Sequence, residues 1–411
     1  MTEEKRVTPE PAAQAAGRDA IYELDGRISV QKAVPFGLQH VLAMFVANIA
    51  PILIVAGVAH LGTEETGSLV QTAMIIAGIG SLLQMFPIGP LGSRLPIVMG
   101  ISFTFVSTFC VIGANSFGGG FGNPHFGEAK YLIVGTITLV ACLVFHIRAH
   151  GFYKQLSVLF GLVAGYVAAY FFGMVDLSKI GSAGLFSLPH FLPYPMEFRP
   201  DAIFSVFLIF LVSATETLGD TSALSVMGMG RLVRDKEVSG SIAVDGFISA
   251  LSSLFGCLPI TSFSQNVGLV AMTHVVNRKA IASGAVLMIL AGLIPALGVI
   301  LASLPDAVLG GCTLMMFGSI VVSGVRMLGD CGFSSRNMSI AALSLSIGIG
   351  FTQAPAIFKI FPTLIQSVFA ENCVAVVFLV AFLLNLVFPS EEALQREEWE
   401  REAKQKQEQA R

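Results

Sequence analysis

Twelve apolar segments separated by short polar breaks organise this chain, near 35–58, 69–89, 95–113, 130–147, 155–174, 202–227, 239–257, 259–275, 279–302, 305–325, 337–353 and 372–388. Most run close to the length at which a helix crosses a hydrocarbon core of about 30 Å. The pattern predicts an all-α polytopic membrane protein with one membrane domain over 35–388. A polar segment, 1–34, precedes it and a charged tail, 389–411, follows it. Loop cations fall on alternate sides of the predicted spans: Arg94, then Arg148 and Lys154, then Arg231, Arg234 and Lys236, then Arg278 and Lys279, then Arg326 and Arg336. That alternation predicts cytoplasmic N- and C-termini in a plasma or inner membrane. The first 34 residues lack the basic start and apolar stretch of a signal peptide, so the first span is expected to serve as insertion signal.

Two segments break the apolar pattern in the same way. Leu95-Pro96-Ile97 is followed by Ser102-Phe103, and Leu258-Pro259-Ile260 by Ser262-Phe263. Each sits at the third span of its half, and the halves start on opposite sides. The echo therefore predicts inverted-topology repeats, 35–175 and 201–388, the architecture of many secondary transporters. Pro, Gly, Ser, Thr, Gln and Asn stand in both segments where a full span would carry Leu and Val. Near 95–113 and 259–275 short half-helices are expected, with unwound backbone that survives in a membrane only where it lines a protein cavity. The N-terminus of such a half-helix presents free N–H groups toward a ligand.

Composition agrees with the pattern. The 411 residues are 54% hydrophobic and 12% charged, with a mean hydropathy of +0.76, far from the balance of soluble domains. A net charge of -3 without a basic patch gives no sign of nucleic-acid binding. The six cysteines, 110, 142, 257, 312, 331 and 373, show no metal-ligand spacing, so no metal and no disulfide framework is expected. HExxH, GxSxG and GxxxxGK[ST] are absent, which argues against a membrane enzyme or an ATP-driven pump.

Polar side chains inside apolar spans are the candidate chemistry. Glu216 and Asp220, four apart, share a helical face inside 202–227, and Asp245 lies inside 239–257. Glu216 is read as functional against a purely structural hydrogen bond, Asp220 as functional or simply hydrated, and Asp245 as functional or paired to a neighbouring helix. His40, after Gln39, either touches the transport path or ties helices together. Gln265 and Asn266 each offer a donor pair and an acceptor, which suits an uncharged ligand with alternating N–H and C=O edges, the pattern of a nucleobase. Gly268 serves either the site or helix packing. Phe103 either stacks on a planar ring or belongs to the core.

These residues are familiar together. Gln265-Asn266-Val267-Gly268 with Thr273 resembles the signature of the nucleobase–ascorbate transporter family. Gln39-His40 matches its first-span pair, and the stretches around Glu216, Asp220 and Asp245 match its carboxylates. The resemblance runs from about Val34 to Pro389 and is nearest the bacterial xanthine and uric acid permeases. It implies fourteen spans in two inverted halves (7+7), a core and a gate domain, a homodimer and an elevator-like motion. It also implies a purine substrate held by Glu216 and Gln265, with Asn266 shaping the site and Ser102 facing it. Asp245 and His40 would support proton coupling, with H+ as the coupling ion and no other cofactor. The reading is a proton-coupled importer of xanthine and/or uric acid; alternatives are a uracil-type permease, or a nucleobase-binding protein that does not transport. His274 stands where the signature carries Arg, Lys or Gly. Five spans precede residue 200 and seven follow it, so the first repeat is read as short by two spans, lost between Gly113 and Asn115.

Overall fold

The computed structural model describes residues 20–110, 128–150, 152–175, 184, 186–330, 332–362, 365–366, 369–370 and 373–390. The expected loss between Gly113 and Asn115, the first nineteen residues and nearly all of the charged tail lie outside the described residues.

The principal helices are α1 Val30–Val58, α2 Thr63–Met85, α3 Ala129–Arg148, α4 Ser157–Phe171, α5 Pro200–Met229, α6 Asp235–Leu254, α7 Ser264–Thr273, α8 Arg278–Gly292, α9 Pro295–Ala302, α10 Asp306–Asp330, α11 Ser335–Gln353 and α12 Cys373–Val387. Among the described residues α1, α2, α3 and α5 are each long and apolar enough to cross a membrane. The predicted span 279–302 is a correction: it is α8 and α9, bent by 82° at Leu293–Ile294. Pro295 explains the break, because it has no N–H to continue the helix and can sit at the first turn of a new one. The first helix starts at Val30, with exposed Gln31 and Lys32 adding a polar turn ahead of the apolar run.

The chain divides into two compact units. One holds the described residues within 1–103, 121–195 and 214–313. At its centre α2 packs against α1, α6, α8 and α9, and α3 packs against α4. Without a hydrophobic drive between helices in lipid, close approach depends on small residues. At the crossing of α1 and α8, a Cβ on Gly37 would strike the backbone of Gly284, and one on Gly284 would strike Gly37. The second unit holds the described residues within 104–120, 196–213 and 314–411. Its core joins Phe105, Ile209 and Ala375, with α11 against α12.

Both interrupted segments in the first unit contain a strand, an element absent from the expectation of half-helices alone. β1, Met99–Ile101, and β2, Ile260–Ser262, pair antiparallel in the register Met99↔Ser262, Gly100↔Thr261, Ile101↔Ile260. A three-residue ladder leaves its outward N–H groups unpaired, at several kcal/mol each in a membrane interior. Each of these four groups is taken by a helix side chain. Met99 N–H donates to Ser81 Oγ (2.8 Å) and Ile101 N–H to Asn48 Oδ1 (2.7 Å). Ile260 N–H donates to Ser249 Oγ (3.2 Å) and Ser262 N–H to Asp245 Oδ2 (3.2 Å). Polar residues in otherwise apolar α1, α2 and α6 are thus explained by the ladder they serve.

Candidate functional site

The half-helix α7 begins where β2 ends, and its first turn meets the carboxylate face of α5. Ser264 Oγ lies 3.1 Å from Glu216 Oε1 and 3.0 Å from Asp220 Oδ2. The spacing of four does place both carboxylates on one face, and they converge on a single hydroxyl. Ser262 Oγ lies 2.9 Å from Asp220 Oδ2 and 3.2 Å from Thr217 Oγ1. Thr217 in turn donates to Asp245 Oδ2 through a short hydrogen bond. Asp245, 2% exposed, also accepts from Gln84 Nε2 at 3.3 Å. Carboxylates from two helices are therefore joined through three hydroxyls into one buried network.

Asp220 is buried, with its carboxylate on the two serine hydroxyls. Asp245 does pair with neighbouring elements, and the pairing serves the unwound backbone at Ser262. His40 Nδ1 donates to Asn266 Oδ1 at 2.9 Å, while Asn266 Nδ2 contacts Met44 Sδ at 3.4 Å. Those bonds tie α1 to α7 and occupy the Asn266 amide, so both residues position the half-helix. Gln265, half-buried on the same turn, makes no side-chain hydrogen bond among the described residues, which leaves its amide open. A Cβ on Gly268 would meet no atom within 4 Å, so among the described residues Gly268 marks no close helix contact.

Ser102 and Phe103 follow β1, and antiparallel pairing puts them at the opposite end of the ladder from Ser262, with Ser102 buried and Phe103 half-buried. Gly100 in that strand has little room: a Cβ would fall 2.8 Å from the Phe263 ring and 2.9 Å from Asn48 Oδ1. Thr273 is remote from the carboxylates, at the far end of α7. Its hydroxyl donates to Leu269 O and accepts from Val275 N–H, a local cap. His274 caps that helix in the left-handed region, φ 54°. Glycine, the family's small alternative, fits that conformation best, and His enters it more readily than most side chains. The departure from the signature therefore falls on a helix end about 15 Å along the axis from the first turn of α7.

Sequence reasoning missed Gln84, Thr217 and Ser264 as members of the network. Gln84 also donates to Ser241 O (3.2 Å) and accepts from Ser93 N–H (3.3 Å). The available signal was a glutamine in the apolar run Leu82-Leu83-Gln84-Met85, a polar side chain that a membrane interior tolerates only with partners. Ser264, between Phe263 and Gln265, carried no such contrast because polar residues surround it.

Apolar spans, an interrupted pair of segments and a buried polar cluster where those segments meet define a multi-pass membrane permease. The family model Xan_ur_permease, described as Permease family, matches residues 31–116 and 108–357. The chain belongs to the nucleobase–ascorbate transporter family, and as such it is a transport protein and not an enzyme. Among relatives, it is 30% identical to the xanthine permease XanQ of Escherichia coli (strain K12) over 443 residues, covering 91% of this chain and 95% of that protein. It is 29% identical over 425 residues to the uric acid transporter UacT of the same strain, covering 89% and 88%. A putative purine permease of Clostridium perfringens (strain 13 / Type A) is 27% identical over 423 residues, covering 89% and 92%.

Proposed function

We propose that this chain imports a purine nucleobase, xanthine and/or uric acid, together with a proton. The observation that carries the reading is the first turn of α7, where Gln265, unpartnered among the described residues, follows the serine whose hydroxyl lies 3.1 Å from Glu216 Oε1. A carboxylate that accepts from ring N–H groups beside an amide that both donates and accepts complements the edge of an oxidised purine. The names of XanQ and UacT support the same substrate class. A neutral Gln265 at the signature's first position favours purines over the uracil-type alternative.

Proton counting in the network supports symport. Five links join Asp245, Thr217, Ser262, Asp220, Ser264 and Glu216, whereas the three hydroxyls bring three protons. Two links therefore become hydrogen bonds only when carboxyl groups carry protons. A site that is completed by protons binds them together with the ligand that uses the same oxygens.

Two features support an inverted-repeat fold of the 7+7 type with a shortened first half. Antiparallel pairing of β1 with β2 is what a two-fold axis in the membrane plane requires, and the offset between the two Leu-Pro-Ile triplets also carries Met99 onto its partner Ser262. The 443-position match to XanQ takes in only 91% of these 411 residues, and the family match is broken near 108–116. Core and gate domains, a homodimer and cytoplasmic termini complete the reading. The shortening also favours, as a second reading, a protein that binds purines without carrying them.

Uptake of labelled xanthine and uric acid by cells expressing the chain, with and without a proton gradient, tests the first reading. Competition confined to uracil would overturn the purine assignment, and gradient-independent uptake would overturn symport. Binding without uptake, restored by inserting about two spans between Gly113 and Asn115, would establish the second reading.

A further inference from the structure

The loop after α2 and the start of α6 enclose a cavity of about 600 Å³, lined by residues that take no part in the carboxylate–hydroxyl chain, although Ser93 N–H donates to Gln84. Arg94, from the loop, and Arg234 and Lys236, from the helix start, line it together. All three are exposed and none forms an ion pair among the described residues. Of the two acidic lining residues, Glu237 is already engaged by Arg231, leaving Asp235 against three cations.

The loop holds these cations in a fixed place. Its Gly92 N–H donates to Gly240 O at 3.1 Å, and a Cβ on Gly240 would collide with Gly92 O, so loop and helix touch backbone to backbone. Arg94 itself is left-handed, φ 64°, with its N–H on Gln84 O at 2.9 Å. A non-glycine residue held in that region costs stability and is retained only where its surroundings impose it. Apolar side chains flank the cations: Ile88 is 73% exposed between two lining residues, and Leu232 is 83% exposed two positions before Arg234. The cavity thus combines positive charge with bare apolar surface at one end of the membrane-crossing α2.

We propose that this cavity binds the phosphate of an anionic phospholipid, with Arg94, Arg234 and Lys236 on the headgroup and Ile88 and Leu232 against the first carbons of the acyl chains. Guanidinium groups take a phosphodiester through paired N–H donors, and basic pockets at helix ends near the membrane surface suit such headgroups. A soluble phosphate ion would use the cations but gain nothing from the exposed apolar pair.

Native mass spectrometry of the purified full chain in mild detergent, with phosphatidylglycerol or phosphatidylcholine added, tests the assignment. The parent should retain phosphatidylglycerol over phosphatidylcholine, and Arg94→Gly with Arg234→Gln should lower that retention roughly tenfold or more. Glycine at 94 accepts the left-handed backbone, so this change removes the charge without adding strain. Arg234→Gln alone, at an exposed side chain, gives a second reading in the same direction. The control Arg148→Gln with Lys154→Gln, at the end of α3 and in the turn after it, should leave retention unchanged. Equal loss in the control and the cavity variants would reduce the effect to general loop charge and overturn the proposal. Displacement of the lipid by millimolar inorganic phosphate would overturn it in favour of a soluble anion.

Discussion

Asp245→Asn separates the structural work of this carboxylate from the part in proton coupling proposed for it. Asp245 receives three donors: the Ser262 N–H and Thr217 hydroxyl on Oδ2, and Gln84 Nε2 on Oδ1. An asparagine can keep its oxygen toward Ser262 and Thr217, but its amide then faces the Gln84 amide, donor against donor. Gln84 cannot turn over without loss, because its Oε1 accepts Ser93 N–H and its Nε2 serves Ser241. One charge-assisted bond is lost, worth about 1.5–3 kcal/mol, and a buried donor is left unmatched at about 1–3 kcal/mol. Partial relaxation makes the expected destabilisation about 2–4 kcal/mol, read as the free energy of unfolding in mixed detergent with SDS. The reciprocal exchange, Gln84→Glu with Asp245→Asn, restores an acceptor opposite the new amide but removes the donor to Ser241 O, so it should recover part of that loss and not all of it. Uptake should stay low in the exchanged protein, since the carboxyl has left its place at the end of the hydroxyl chain. A loss under about 0.5 kcal/mol in Asp245→Asn, or no recovery on exchange, would refute the donor accounting.

Glu216→Gln should weaken xanthine binding at least about tenfold, measured by equilibrium binding to the purified protein, because the amide loses the strong double acceptor. Gln265→Glu should lower purine binding and raise competition by uracil in uptake assays, and an unchanged competition profile would make Gln265 structural. Outside the membrane spans, burial alone would push the Glu237 carboxyl up, but the Arg231 guanidinium and the Arg234 backbone N–H outweigh it and hold it below the usual carboxylate range. A depressed folded value means that this stability is present above the unfolded value, near 4.5, and is lost as pH falls through the folded one. Glu237→Gln should therefore flatten the acid limb of the melting-temperature profile, a difference that vanishes if the pair is idle.

Much of the helical framework was legible because a membrane imposes length and hydrophobicity together. Segments such as 130–147 and 202–227 return as α3 and α5 with shifts of a residue or two. Ladder formation was not legible: Met99-Gly100-Ile101 and Ile260-Thr261-Ser262 are too short for a period of two to stand out. What stabilises them is remote in sequence, the side chains of Asn48, Ser81, Asp245 and Ser249 on three helices. Candidate residues were found where a charge or paired amides broke an apolar run, as at Glu216 and Gln265. Their division of labour was not, because it depends on partners: Asn266 and Gln265 read alike, yet one amide is held by His40 and the other is open.

Local satisfaction of the polar network bears on the proposed shortening of the first repeat. A pair of spans that had supplied hydrogen-bond partners to this site would, on removal, leave buried polar atoms without partners, at a cost of about 1–3 kcal/mol each. Among the described residues no buried side-chain nitrogen or oxygen lacks one. The described side-chain partners of Glu216, Asp220, Asp245 and Asn266 include residues of α1, α2, α5, β2 and α7, segments on either side of the break near 108–116. On the proposed shortening, purine binding should therefore not need the two spans read as lost between Gly113 and Asn115. Transport is a separate demand, since alternating access needs two bodies that move against each other around the site. Loss of two spans would act on that motion, so purine affinity should survive in this chain even where the rate of uptake does not.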